Sequence, residues 1–191
     1  MSGHTLFFYG TLMAPQILYR VIHGRPEPEP WQKALLTFQP AILHGFQRHR
    51  VREADYPGIV PSDKSEESSA CVLGTLVSGL TDGDVHRLDI FEGSEYEKRP
   101  VKVRTLRDLL AGGSTGGVLG DGNEADHAKG DHLRDVLEAA RAQLADEADE
   151  VVAITYVWVA GEERLEDAEW DFETFQRDKM AWWVNADESE W

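Results

Sequence analysis

Two places in the chain hold residue types suited to chemistry. The first is Tyr9-Gly10-Thr11-Leu12, at the end of the apolar run Thr5–Tyr9. That run has the length and composition of a short buried strand. A glycine at its end lets the backbone turn sharply and approach a ligand closely. Successive N–H groups in such a turn form an anion-binding concavity, although glycine also ends many strands that bind nothing. The second place is Leu88-Asp89-Ile90-Phe91-Glu92-Gly93. On a helix starting near Asp82, Glu92 lies seven residues after Val85, and two turns return it to nearly the same face, which also carries Leu88. A carboxylate on an apolar face at a helix end is partly desolvated, and desolvation raises its pKa. A raised pKa suits a general acid or base working near neutrality. Periodicity alone leaves a second reading equally open, a structural carboxylate bonded to a backbone amide or to Arg99.

Other familiar constellations are absent. The run Gly112-Gly113-Ser114-Thr115-Gly116-Gly117 lacks the lysine of a nucleotide-binding loop, and there is no Gly-x-Ser-x-Gly elbow. Cys71 sits in an apolar segment, where a lone cysteine is expected to be a small buried hydrophobe. The histidines do not fall at metal-ligand spacing: His127 and His132 are five apart across a loop-to-helix boundary. Neither a metal nor a cofactor is expected. The tryptophans near the C-terminus are expected in the core.

The elements that must position the loop and the carboxylate follow from the pattern. Ala14–Ile22 is predicted as a helix with Pro15 in its first turn. Pro26–Pro30 is predicted as an extended linker. Ala41–Phe46 and Gln47–Arg52 have strand character, either as two strands or as one long bent one. Tyr56–Pro61 turns into a short edge strand, because its prolines cannot donate to a ladder. Asp63–Ser69 is a polar turn, and Cys71–Val77 a strand broken by Gly74. Thr81–Phe91 is predicted as a helix capped by Thr81 and Asp84 and ended by Gly93. Tyr96–Leu106 alternates, with Val101 and Val103 on one face and Lys102 and Arg104 on the other. Gly112–Gly130 is predicted as a mobile loop, His132–Leu144 as a helix, Val151–Ala160 as a strand and Trp170–Val184 as a final helix. Strands mixed with helices, without regular βαβ alternation, indicate an α+β fold: a mainly antiparallel sheet or small barrel with helices around it.

The bulk numbers narrow the partners. The 191 residues suffice for one domain with a core of its own. A formal net charge of −16 repels nucleic acid and anionic membranes, so neither is expected as a partner. A single cysteine permits no internal disulfide and suits a reducing compartment. With no signal-like stretch near Met1 and no apolar run of membrane-spanning length, a cytoplasmic location is expected.

Taken together, several pieces resemble the γ-glutamylcyclotransferase-like superfamily, most closely its branch of plant and fungal avirulence-induced-gene-like proteins. They are Phe8-Tyr9-Gly10-Thr11-Leu12, Gly45-Phe46 with Tyr56–Pro61, Leu88–Gly93 with Tyr96 and Arg99, and the tail Trp170-Asp171-Phe172-Glu173 with Trp183-Val184. They occur in the family's order across almost the whole chain. The resemblance implies one domain over residues 1–191, with a flexible or helical insertion at about 110–150. It also implies a small, mostly antiparallel β-barrel with flanking helices. The family's catalytic glutamate falls on Glu92, and its substrate-binding loop on Tyr9, Gly10, Thr11 and Leu12; Tyr96 is a candidate wall residue. The implied activity is cyclisation of a small γ-glutamyl amine to 5-oxoproline and free amine, an acyl transfer without metal or cofactor. A non-catalytic module holding a small ligand in the same cavity is the alternative.

Overall fold

The computed structural model describes residues 3–62, 70–106 and 147–185. The apolar run near the N-terminus forms β1 (His4–Phe8). Both of its faces are buried: Leu6 and Phe8 pack toward the helices, and Phe7 packs with Tyr9 into a second cluster. A strand covered on both sides has no need of polar alternation, which explains its unbroken hydrophobicity.

Four further strands close a barrel with it: β2 (Thr37–His44), β5 (Cys71–Leu80), β6 (Tyr96–Leu106) and β7 (Glu147–Trp158). The order around the barrel is β1-β5-β2-β6-β7. Four of the five pairings are antiparallel, and the closing one, β1 with β7 through Leu6 and Ile154, is parallel. A mostly antiparallel barrel with flanking helices is therefore the architecture. Its interior is filled by Phe7, Ala41, Leu43, Leu76, Val103 and Val157 among others. Closure removes the sheet edges that would otherwise need protection. Residues 107–146 connect β6 and β7, whose ends pair through Leu106 and Glu147. The predicted loop Gly112–Gly130, the predicted helix His132–Leu144 and the predicted turn Asp63–Ser69 lie outside the described residues, as do His127 and His132.

Several predicted elements change in detail. The segment after Ala41 is not one bent strand. Gly45, with φ +83°, takes the left-handed conformation and separates β2 from β3 (Phe46–Arg50). β3 pairs with β4 (Pro57–Pro61) as a two-stranded sheet beside the barrel. Gly74 does not break β5. A Cβ there would lie 2.3 Å from the Phe8 carbonyl oxygen, so the glycine admits close strand packing instead. Cys71 is exposed, not buried: it opens β5 opposite His44, and Val72 is the first residue of that strand to turn inward. β7 begins at Glu147, inside the expected insertion.

The helices cover one side of the barrel. α1 (Pro15–His23) ends on Gly24 in the left-handed conformation. α2 (Pro30–Lys33) is a single turn, capped by Glu29 and Gln32, that begins at the last residue of the expected linker Pro26–Pro30. α3 (Asp82–Glu92) begins with the Thr81–Asp84 capping box, each side chain accepting from the other's backbone N–H. The expected C-terminal helix is two helices, α4 (Phe172–Asp178) and α5 (Met180–Asn185), because Lys179 leaves helical geometry at φ −123°. No helix among the described residues is long and apolar enough to cross a membrane.

Candidate active site

The loop after β1 and the end of α3 meet across a cavity of about 890 Å³. Tyr9, Gly10, Thr11, Leu12, Glu92 and Tyr96 all line it. Residues separated by some eighty positions in sequence are thus brought together by the barrel and the helix packed on it.

Helix α3 aims Glu92. Val85 and Leu88 are buried in the cluster that holds α1, and Glu92 continues their stripe one turn later, where the core opens into the cavity. Gly93 then reverses the chain at φ +69°. The Glu92 carboxyl makes no hydrogen bond or ion pair among the described residues. Arg99, the alternative partner, pairs with Glu97 at 2.8 Å, so the structural reading of Glu92 has no partner to rest on. Burial alone pushes the Glu92 carboxyl up to about 8. At neutral pH such a group exchanges protons readily in either direction.

The loop is held from below. Arg48, on β3, is a buried charge whose Nη1 donates to the carbonyls of Tyr9 at 2.9 Å and Leu73 at 3.3 Å. Its Nη2 donates to Glu169 at 3.0 Å, and the guanidinium lies over the Trp170 ring. The planar fork of arginine suits this convergence of acceptors. Gly10 is needed for packing, not for a left-handed turn: its φ is −128°, and a Cβ would stand 2.8 Å from Pro57 Cδ. The close approach that glycine permits is therefore to Pro57. A 3-10 turn, Thr11–Met13, follows, and the N–H groups of Gly10, Thr11 and Leu12 donate to no other described residue.

The tyrosines of the wall share one polarity. Tyr9 Oη donates to the Tyr156 carbonyl, and Tyr96 Oη donates to the Pro57 carbonyl at 2.7 Å. Tyr156 Oη donates to Asp89 Oδ1 at 2.8 Å, and Asp89 Oδ2 in turn receives Lys98 at 2.8 Å. Burial, reinforced by the nearby Glu92 charge, raises the Tyr9 and Tyr96 hydroxyls well above the usual phenol range. All three hydroxyls stay protonated and commit their donors to these protein acceptors, leaving lone pairs for a donor on a ligand. Among the described residues, no three His, Cys, Asp or Glu side chains gather as a metal site.

Tyr156 and Arg48 are cavity-building residues that sequence reasoning missed. Tyr156 sits in a strand that was predicted, but its closeness to Asp89 depends on how α3 crosses the barrel. Arg48 gives no local signal, because one arginine in a half-exposed strand normally faces water. Trp183 also lines the cavity. Arg20 of α1 secures it by donating to the carbonyls of Trp183 and Val184 at the end of α5.

Comparison with known proteins bears on the family and the fold. Residues 6–117 match the family described as gamma-glutamyl cyclotransferase, AIG2-like. Protein AIG2 C of Arabidopsis thaliana is 23% identical over 92% of this chain and 73% of its own length. AIG2-like protein B of the same plant is 26% identical over 96% of this chain and 75% of its own length. AIG2-like protein A reaches 34% identity, over 52% of each chain. Two solution structures of Arabidopsis thaliana proteins share the fold. One has a TM-score of 0.53 at 25% identity and covers 93% of this chain and 83% of its own. The other has a TM-score of 0.52 at 24% identity, with 93% and 74% covered. With more than half of the chain matched, and the matched part carrying both the loop and the glutamate, this protein belongs to the γ-glutamyl cyclotransferase, AIG2-like family.

Proposed function

We propose that the protein is a γ-glutamylcyclotransferase that converts a small γ-glutamyl amine to 5-oxoproline and the free amine, with Glu92 as general acid and base. The observation that carries this reading is the Glu92 carboxyl: on a half-buried residue, without a partner among the described residues, raised to about 8, and in the same cavity wall as the loop Gly10–Leu12.

The reaction is an intramolecular aminolysis. The substrate folds so that its α-amine meets its own γ-carbonyl, an orientation that can supply up to about 7–11 kcal/mol of the barrier in ideal cases. Glu92 takes a proton from the attacking nitrogen as the new C–N bond closes the five-membered ring. The γ-carbonyl oxygen becomes an oxyanion, and N–H groups of Gly10, Thr11 and Leu12 face it or the substrate's α-carboxylate. Glu92 then returns the proton to the departing nitrogen as the original C–N bond breaks. Atoms and charges balance with a carboxylate alone, so the scheme calls for no metal or redox cofactor. The acceptor lone pairs of Tyr9, Tyr96 and Tyr156 suit an amine at the reacting centre. The partner in this scheme is a small molecule, and the net charge of −16 disfavours nucleic acid and anionic lipid.

The test is a panel of γ-glutamyl compounds assayed for 5-oxoproline, comprising γ-glutamyl-amino acids, glutathione and ε-linked γ-glutamyl-lysine. Release of 5-oxoproline from any of them, abolished by Glu92→Gln, supports the proposal. Saturable binding of such compounds with no 5-oxoproline formed would instead identify a non-catalytic binding module.

A further inference from the structure

The hydroxyls of Tyr9, Tyr96 and Tyr156 all donate to the protein, but not to the same kind of acceptor. Tyr9 and Tyr96 donate to the main-chain carbonyls of Tyr156 and Pro57. Tyr156 donates to a side chain, Asp89 Oδ1, at 2.8 Å. A main-chain carbonyl is set by the fold, whereas a side-chain acceptor is set by the residue at that position. A carboxylate can only accept, so it fixes which way the hydroxyl points. Its second oxygen, Oδ2, receives Lys98 Nζ at 2.8 Å, which matches the Asp89 charge on the side away from Tyr156.

The placement ties this pair to the chemistry. Tyr156 is 4% exposed and lines the cavity, while Asp89 stands behind it and does not. Asp89 precedes Glu92 by three residues, about 60° round α3 and about 4.5 Å along its axis. The helix that presents the acid–base group therefore also sets the polarity of the hydroxyl beside it. Burial, and then the bond to Asp89, raise the Tyr156 hydroxyl well above the usual phenol range, so it remains a hydroxyl with its lone pairs uncommitted.

Resting on the cyclotransferase reading above, we infer that Asp89 is a positioning residue for the reaction, one that makes the Tyr156 oxygen an obligate acceptor for an N–H of the attacking amine. The neutral α-amine carries two N–H bonds. Glu92 takes the proton of one as the ring closes. Tyr156 holds the other, which stays on the lactam nitrogen of 5-oxoproline, and the nitrogen lone pair is left facing the γ-carbonyl. Asparagine at position 89 would keep the shape but bring a donor as well as an acceptor. With its amide N–H toward Tyr156, the hydroxyl would donate into the cavity and repel the amine it otherwise orients.

The experiment is a double-mutant cycle. Steady-state 5-oxoproline formation is measured for wild type, Asp89→Asn, Tyr156→Phe and the double variant, using the γ-glutamyl compound of the panel that turns over fastest. Folding is checked by circular dichroism. Asp89→Asn and Tyr156→Phe should each lower kcat/KM by about three- to tenfold, the effect of one hydrogen bond, and the double variant should be no worse than Tyr156→Phe alone. Lys98→Met separates positioning from anchorage. The Lys98 and Asp89 side chains are 39% and 37% exposed, and an ion pair this exposed is weak, so kcat/KM should stay within about threefold. Multiplicative losses in the double variant, an unchanged Tyr156→Phe enzyme, an Asp89→Asn protein that does not fold, or a Lys98→Met loss equal to that of Asp89→Asn would each overturn the assignment while leaving the cyclotransferase reading standing. If wild type releases 5-oxoproline from no compound of the panel, that reading falls and takes the role of Asp89 with it.

Discussion

Replacing Glu92 by glutamine keeps the shape of the side chain and removes its charge, so its effects on stability and on rate can be predicted separately. The Glu92 carboxyl is raised from its ordinary 4.5 to about 8 by burial. Below pH 4.5 the group is protonated in both folded and unfolded chains and contributes no difference. Between 4.5 and 8 the unfolded chain releases this proton while the folded protein keeps it, so wild-type stability falls as pH rises. Above 8 both states are ionised and the penalty is constant. At about 1.4 kcal/mol per tenfold change in proton affinity, that penalty has an upper bound of about 5 kcal/mol. The residue is half-buried and its carboxyl opens onto the cavity, so cavity water is expected to screen the penalty to about 2–3 kcal/mol. Glu92→Gln should therefore be more stable than wild type at pH 8, by about 4–12 °C in Tm for a chain of this size, and equal to it at pH 4. Its 5-oxoproline formation should drop by about 10²–10⁴, and the limb of the wild-type pH–rate profile near 8 should vanish. Thermal denaturation by circular dichroism from pH 4 to 9, with kcat on the same purified variants, measures both. A Glu92→Gln protein that is less stable at every pH and retains wild-type kcat would refute the reasoning, because Glu92 would then be a bonded structural group outside the chemistry.

Three further predictions concern the groups around that carboxylate. Gly10→Ala forces a methyl against Pro57 at 2.8 Å and should cost about 1–3 kcal/mol of stability with a loss of kcat, read by urea denaturation alongside turnover. Arg48→Met strips the Tyr9 and Leu73 carbonyls of a donor; a loss of about 1–3 kcal/mol and a raised KM are expected, whereas an unchanged KM would show that the loop holds its shape without Arg48. Cys71→Ser removes an exposed thiol at the start of β5, so stability should shift by no more than about 0.5 kcal/mol and activity should stay within a few-fold; complete inactivation of a folded variant would place a nucleophile where none is proposed.

Much of the scaffold was legible in the chain because local signals specify it. The Thr81–Asp84 cap, the Val85–Leu88–Glu92 stripe and the Gly93 stop are all contained within thirteen consecutive residues and obey the helical period, so α3 and the direction of Glu92 follow from sequence. β6 was legible for the same reason, its alternation being complete from Val101 to Arg104. Elements fared worse where one glycine admits several geometries. Gly45 separates two strands, Gly74 interrupts nothing and Gly10 makes room for Pro57; the distinction lies in what approaches each one from elsewhere in the chain. Cys71 illustrates the same limit, since its apolar neighbours say nothing about where the inward alternation begins.

The site divides along the same line. The residue types at Tyr9–Leu12 and Glu92 are written in the sequence, as is the helical phase that turns the glutamate toward the apolar side. The tertiary structure alone decided that loop and carboxylate share one cavity, because their juxtaposition requires the barrel to close and α3 to pack on α1. It also decided that Glu92 lacks a partner, that Arg48 pins the loop from beneath, and that Tyr156 meets Asp89. Each of these is a contact between residues far apart in the chain, whose energy comes from burial and hydrogen bonding that exist only after folding, and so leaves no periodic mark in the sequence.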